Sequence, residues 1–233
     1  MYHPFSVTET ISNSWDILRK NFAIIAVYSI IAIFIILVFG FIIYNVITDS
    51  ILTSIGVIIL LVGISFVFLG FIKLVFRLID KQYYEFDFSD IVPKIKMLMS
   101  YLILLVIVSS LAVLMTNIIK RLDEGMLQSL IGIFIGVFFQ FFFLFYFPIC
   151  TCFIVDDESG PFESVMQSFD LIKGNFLKYF LLFLFIEVLV LIGSFTVIGM
   201  VFVIPFVNIV LVVAYRKLIY SHLDVDDEIA ETL

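Results

Sequence analysis

Long apolar runs separated by short polar segments organise this chain. Six runs fall at about 22–47, 51–76, 98–119, 126–155, 177–195 and 196–218. Each holds about eighteen or more nearly uncharged residues, enough to cross a hydrocarbon layer about 30 Å thick as a helix. The runs are continuously apolar rather than alternating, and a transmembrane barrel strand needs only about ten residues. A helix also satisfies every backbone group within itself, as lipid requires. The pattern predicts an all-α integral membrane protein with six transmembrane helices.

The polar segments between the runs carry a repeat. Ser14, Trp15, Asp16, Ile17, Leu18, Arg19, Lys20, Asn21 and Phe22 reappear as Ser168, Phe169, Asp170, Leu171, Ile172, Lys173, Gly174, Asn175 and Phe176, 154 positions later. Each copy is followed at once by an apolar run. Halfway between them, Phe88 to Met99 also precedes an apolar run. The chain therefore divides into three units, about 5–80, 81–157 and 158–223. Each is expected to be a cytoplasmic amphipathic helix followed by a transmembrane hairpin, with an acidic tail at 224–233.

In the first unit Val7, Ile11, Trp15, Leu18 and Phe22 recur at helical spacing with polar residues between them. Ser6 followed by Glu9 has capping-box spacing and sets a helix start. Phe162, Val165, Phe169, Ile172 and Phe176 make the matching stripe in the third unit, opened by Gly160 and Pro161. Helices of this kind are expected in the headgroup layer, with their basic residues toward anionic lipid.

Composition agrees with the pattern: 63% of residues are hydrophobic, 14% are charged and the mean hydropathy is +1.23. Of the 13 Lys and Arg residues, 11 fall on one side of a six-span topology, and only Lys120 and Arg121 fall on the other. The positive-inside rule then puts both termini in the cytoplasm. The first apolar run is too long for a cleavable signal and is expected to act as an anchor. Trp15, Tyr83, Tyr84, Tyr101, Tyr179, Tyr215 and Tyr220 are placed near the inner interface as an aromatic belt. Cys150 and Cys152 are expected to be reduced packing residues.

Within the apolar runs, Glu187 is the conspicuous residue. A charged group at bilayer centre costs about 2.5–3.5 kcal/mol on insertion scales, so it should face protein or water, be paired, or be neutral. Asn208 and Gln140 are the polar side chains expected to join it in an intramembrane site. Pro148 and Pro205 remove helix donors and are expected to kink their helices. Gly56, Gly63 and Gly70 recur every seven residues, and Gly132 with Gly136 forms a small-xxx-small pair. These glycines mark close helix packing and make the second and fourth spans the candidates for the core of the bundle. Only His3 and His222 occur, at opposite ends of the chain, and there is no metal-ligand spacing, phosphate loop or nucleophile elbow. No metal or cofactor is expected. The acidic groups account for the net charge of −7, and nucleic acid is not an expected partner.

The motif of Ser14 to Phe22, together with Asp156-Asp157-Glu158-Ser159-Gly160-Pro161 leading into Gly174-Asn175-Phe176, resembles a family of bacterial membrane proteins. These are related to the membrane domain of glycerophosphodiester phosphodiesterase. The resemblance implies a cytoplasmic-membrane protein with a lipid connection. The soluble phosphodiesterase domain of that group has no counterpart here, so glycerophosphodiester hydrolysis is not implied. The expected function is non-catalytic: organising or sensing membrane lipid or a partner complex, with lipids and either a protein partner or a second copy of the chain as partners. A small transporter or channel built around Glu187 is the alternative, and an intramembrane lipid-modifying enzyme is a second.

Overall fold

The computed structural model describes residues 5–45, 50–80, 88–121 and 125–231, with side chains omitted at 50, 88, 197, 198 and 222–231. Lys81, Tyr83, Tyr84, His3 and Asp123 lie outside the described residues, as do the side chains of His222 and of the acidic tail. The described elements are helical: α1 (Val7–Lys20), α2 (Phe22–Asn45), α3 (Ser50–Asp80), a 3₁₀ turn (Phe88–Ile91), α4 (Ile95–Ile119), α5 (Met126–Phe141), α6 (Phe147–Asp156), α7 (Pro161–Lys173), α8 (Phe176–Gly193) and α9 (Val197–Glu231). A π turn at Phe142–Tyr146 joins α5 to α6 as one span. Six segments are long and apolar enough to cross a membrane, and they coincide with the six apolar runs to within a few residues at most ends.

The ends form where the caps predict. Ser6 accepts the Glu9 backbone N–H at 3.5 Å and starts α1. The Glu9 carboxylate does not close the box, because it accepts from Lys217 on α9 at 3.1 Å. At α7, Pro161 occupies the first turn and Glu163 accepts the Gly160 N–H at 3.1 Å. Between α6 and α7 the chain turns at Glu158, whose φ of 55° lies in the left-handed region. The middle unit departs from the expected amphipathic helix. Ahead of α4, the described residues of this unit form only a four-residue 3₁₀ turn. Pro93 lacks a backbone donor and biases Val92 away from helical backbone, so the turn cannot run on into α4.

Tight packing is concentrated at one end of the bundle. Leu69 to Phe76 of α3, Phe145 to Val155 of the fourth span and Phe206 to Leu218 of α9 hold most of the buried side chains. These three segments touch one another, so the even-numbered spans form the centre. Toward the opposite ends the helices expose bulky apolar residues such as Phe34 and Phe134, 66% and 74% accessible. Such a surface suits lipid and not water.

This uneven packing corrects the expectation for the glycines. A Cβ at Gly70 would stand 2.5 Å from the Tyr28 hydroxyl and 3.3 Å from the Ile91 carbonyl, a true close approach. A Cβ at Gly63 or Gly136 would meet nothing within 4 Å, and one at Gly132 only Ile119 at 3.8 Å. Gly56, like Gly63, falls in the half of α3 remote from the buried cluster, so the heptad spacing does not mark one continuous contact face. The second and fourth spans do both lie at the centre, where α3 meets α6 and not the glycine-bearing α5.

Helices α1 and α7 are laid along spanning helices instead of across them. Along α1, Glu9 meets Lys217, Trp15 packs edge-on against Phe206 at 5.9 Å, and Phe22 stacks on Phe202 at 6.2 Å. The contacts thus run antiparallel along α9, from Lys217 to Phe206 beside α1 and on to Phe202 beside the start of α2. Along α7, Ser168 lies on Cys150, Phe169 on Tyr146, and the following Phe176 on Phe145. That is the same antiparallel course beside the fourth span.

The face each of these helices turns inward is its hydroxyl face. Thr10, Ser14 and Leu18 are buried in α1, and Ser164, Ser168 and Ile172, each 154 positions on, are buried in α7. The hydroxyls cap backbone carbonyls of their own helices: Thr10 on Ser6 at 2.7 Å, Ser14 on Thr10 at 2.6 Å, Ser164 on Pro161 at 2.9 Å and Ser168 on Val165 at 2.7 Å. Small, internally satisfied side chains permit close approach to a neighbouring helix.

Candidate functional site

The polar residues singled out within the spans are not gathered at one point. The Asn208 amide donates to the Ile204 carbonyl of its own helix at 2.8 Å. It lines an apolar chamber of about 240 Å³ between α2, α3 and α9, together with Tyr28, Ser29, Pro205 and Met200. Neither Glu187 nor Gln140 lines that chamber. Glu187 is half-buried on α8 and Gln140 is exposed on α5. Neither side chain has a hydrogen-bond partner among the described residues. Among those residues, no three His, Cys, Asp or Glu side chains come together to hold a metal ion.

Pro205 lies inside α9 and lines the chamber, one turn from Asn208. Pro148 has a larger effect on its helix. Without an N–H it cannot meet the Leu144 carbonyl, and the ladder just before it widens into the π turn, where Phe147 donates five residues back to Phe142. The carbonyl of Phe145 in that turn accepts the hydroxyl of Tyr179 from α8 at 3.1 Å. Tyr179 is fully buried, with its ring edge-on to Phe145 at 4.8 Å. A proline-disturbed span is thereby fastened to the next hairpin by one hydroxyl.

At the packed end, Arg216 of α9 joins all three central spans. Its guanidinium donates to Asp156 of α6 at 2.8 Å and to Asp80 of α3 at 2.6 Å, and it lies 4.7 Å over the Phe76 ring. Tyr215 donates to Asp156 at 3.1 Å. Beside this cluster is a polar cavity of about 280 Å³ lined by Lys73, Arg77, Lys94 and Glu158, among others. Lys94 hydrogen-bonds Glu158, which holds that carboxyl below its ordinary range. Lys73 donates to the Val92 carbonyl at 2.7 Å, and Arg77 is 3.8 Å from Asp90. Burial, followed by the Asp156 charge, raises the neighbouring Asp157 carboxyl. This ionic seam was not anticipated from the sequence. Its only signal was a cluster of opposite charges at the ends of three even-numbered runs.

The repeat motif occupies matching surroundings in its two copies. Asn21 and Asn175 share one backbone conformation, φ −114°, ψ 21° and φ −126°, ψ 26°. Each offers its carbonyl to the first bond of the following span, to Ile25 at 3.1 Å and to Tyr179 at 2.9 Å. Asp16 and Asp170 are exposed, as are Trp15, Phe22, Phe169 and Phe176. A second, larger groove of about 570 Å³ runs between α1, α8 and α9, lined by Trp15, Arg19, Phe22, Leu189, Phe202 and Phe206 among others. No protein-family model, no curated protein and no solved structure matches the chain.

Proposed function

We propose that this is a non-catalytic protein of the bacterial inner membrane, both termini cytoplasmic, that organises or senses membrane lipid through α1 and α7. The observation that carries the reading is the outward placement of Trp15, Phe162, Met166 and Phe169, 56%, 68%, 69% and 43% accessible, beside buried hydroxyl faces. In water such a surface would be a liability. At a bilayer boundary it is an anchor.

Three units arranged in a ring account for the contacts. Helix α1 rests on α9, the 3₁₀ turn of the middle unit on α3, and α7 on α6. Each polar element therefore sits on the second spanning helix of the unit before it, and the first closes on the third. Central contacts among α3, α6 and α9 fit the same pseudo-threefold plan. The matched environments of Asn21 and Asn175 support it in detail.

Trp15 is the only tryptophan in the chain, so its fluorescence tests the reading directly. In vesicles, lipids brominated near the glycerol end of the chain should quench it strongly, and lipids brominated near the terminal methyl less so. Quenching by aqueous iodide but by no brominated lipid would refute the reading. Orientation is tested separately with alkaline-phosphatase fusions: active after Asp123 and inactive after Glu158, the reverse pattern overturning it.

A further inference from the structure

The two antiparallel seams described above differ in what fills them. Against α7, the fourth span supplies its own rings: Phe142 and Tyr146 lie 6.5 and 4.2 Å from Phe169, and Phe145, Phe180 and Phe183 close the space beyond. Against α1, α9 supplies Phe202 and Phe206, and a groove of about 570 Å³ stays open. Its lining is apolar apart from Arg19, in the last turn of α1. Among the described residues, no carboxylate pairs with Arg19 or with the adjacent Lys20. The ion pair that α1 does make, Glu9 with Lys217, is at its other end.

We infer that this groove is a binding site for an anionic glycerophospholipid. An acyl chain lies against Trp15, Phe22, Leu189, Phe202 and Phe206, and the phosphate meets the Arg19 guanidinium, with Lys20 adding positive charge beside it. A planar guanidinium matches two phosphate oxygens at once. A zwitterionic lipid would bring its own cation to the same place and gain less. The inference rests on the proposed lipid-facing role of α1 and deepens it by naming the lipid class and the residue that selects it.

Trp15 lines the groove and serves as the probe. The intact protein is placed in phosphatidylcholine vesicles containing equal fractions of brominated phosphatidylcholine or brominated phosphatidylglycerol with identical chains. The expected result is about fivefold tighter association of the phosphatidylglycerol with the Trp15 site, the effect of about one basic residue at the membrane surface. Arg19→Gln should bring the ratio near one, and Arg19→Lys should restore part of it. Lys94→Gln, outside the groove, should leave it unchanged. Equal quenching by the two lipids in the wild-type protein overturns the inference while leaving the lipid-facing reading standing. A preference that survives in Arg19→Gln overturns it as well, because a general surface potential would then be the cause. Quenching by neither lipid means protein covers the groove, and both readings fail.

Discussion

Tyr179→Phe deletes one oxygen atom from a buried helix junction and should cost more than its size suggests. The hydroxyl is the donor recorded at the Phe145 carbonyl from outside its own span. That carbonyl lies in the π turn that precedes Pro148, where the register of the ladder is already shifted. Removing one partner of a buried hydrogen bond costs about 1–3 kcal/mol. The complete burial of Tyr179 argues for about 2. A chain of this length loses about 2–4 °C in thermal midpoint per kcal/mol, so the expected fall is about 4–8 °C. The assay is built into the sequence: Cys150 and Cys152 are its only cysteines, and both are buried. A thiol-reactive fluorophore in detergent therefore reports opening of the packed end. A midpoint change below about 1 °C would refute the account.

The same assay checks four further expectations. Arg216→Gln leaves Asp80 and Asp156 without their shared partner. Since these groups are partly exposed, the cost should be about 1–3 kcal/mol and not the full penalty of a deeply buried pair; Arg216→Lys should recover only part, and an unchanged midpoint would mean the bridge is idle. Gly70→Ala should cost about 1–3 kcal/mol, because the Ile91 carbonyl is backbone and cannot swing aside, and Tyr28→Phe should relieve some of it. For Lys94→Met the sign follows from Glu158, whose carboxyl is depressed in the folded protein: the pair contributes fully above the ordinary carboxyl value of 4.5 and is lost as pH falls through the lower folded value. The variant should therefore be less stable than the wild type at neutral pH and converge with it in acid; a constant difference would refute the linkage. Glu187→Leu replaces a carboxyl that has no partner among the described residues and should raise the midpoint; a fall would show that the carboxyl is held by a partner.

The spans were legible because hydropathy over about twenty residues depends on composition and not on contacts. The caps at Ser6 and at Gly160-Pro161 were legible because they act within one turn. Which face of α1 turns inward was not. Amphipathic patterning is ordinarily read with water outside, which sends Val7, Ile11, Trp15 and Leu18 together toward the core. Here the surroundings of the bundle are apolar, so large side chains lose nothing by facing outward, and the close approach to α9 goes to Thr10 and Ser14, whose hydroxyls are already satisfied within the helix. Of the expected interfacial stripe, Leu18 is buried, Val7 and Ile11 pack partly buried against the core, and Trp15 and Phe22 are exposed.

The same reasoning separates Glu187 from Arg216. Composition singles out a carboxyl within a span, but it does not fix the side of the helix on which the residue falls, and on α8 the Glu187 carboxyl hydrogen-bonds neither Asn208 nor Gln140. Arg216 looks ordinary by comparison, one of several basic residues at a helix end. Its partners Asp80 and Asp156 lie 136 and 60 positions away, and nothing local announces them. The arrangement becomes intelligible only once α3, α6 and α9 are known to share the centre. Three like-directed helices then bring their charged ends together, and a guanidinium fork can serve two carboxylates from different helices at once. The residue that joins the units was thus hidden by its distance in sequence, while the residue that drew attention stands apart from the junction.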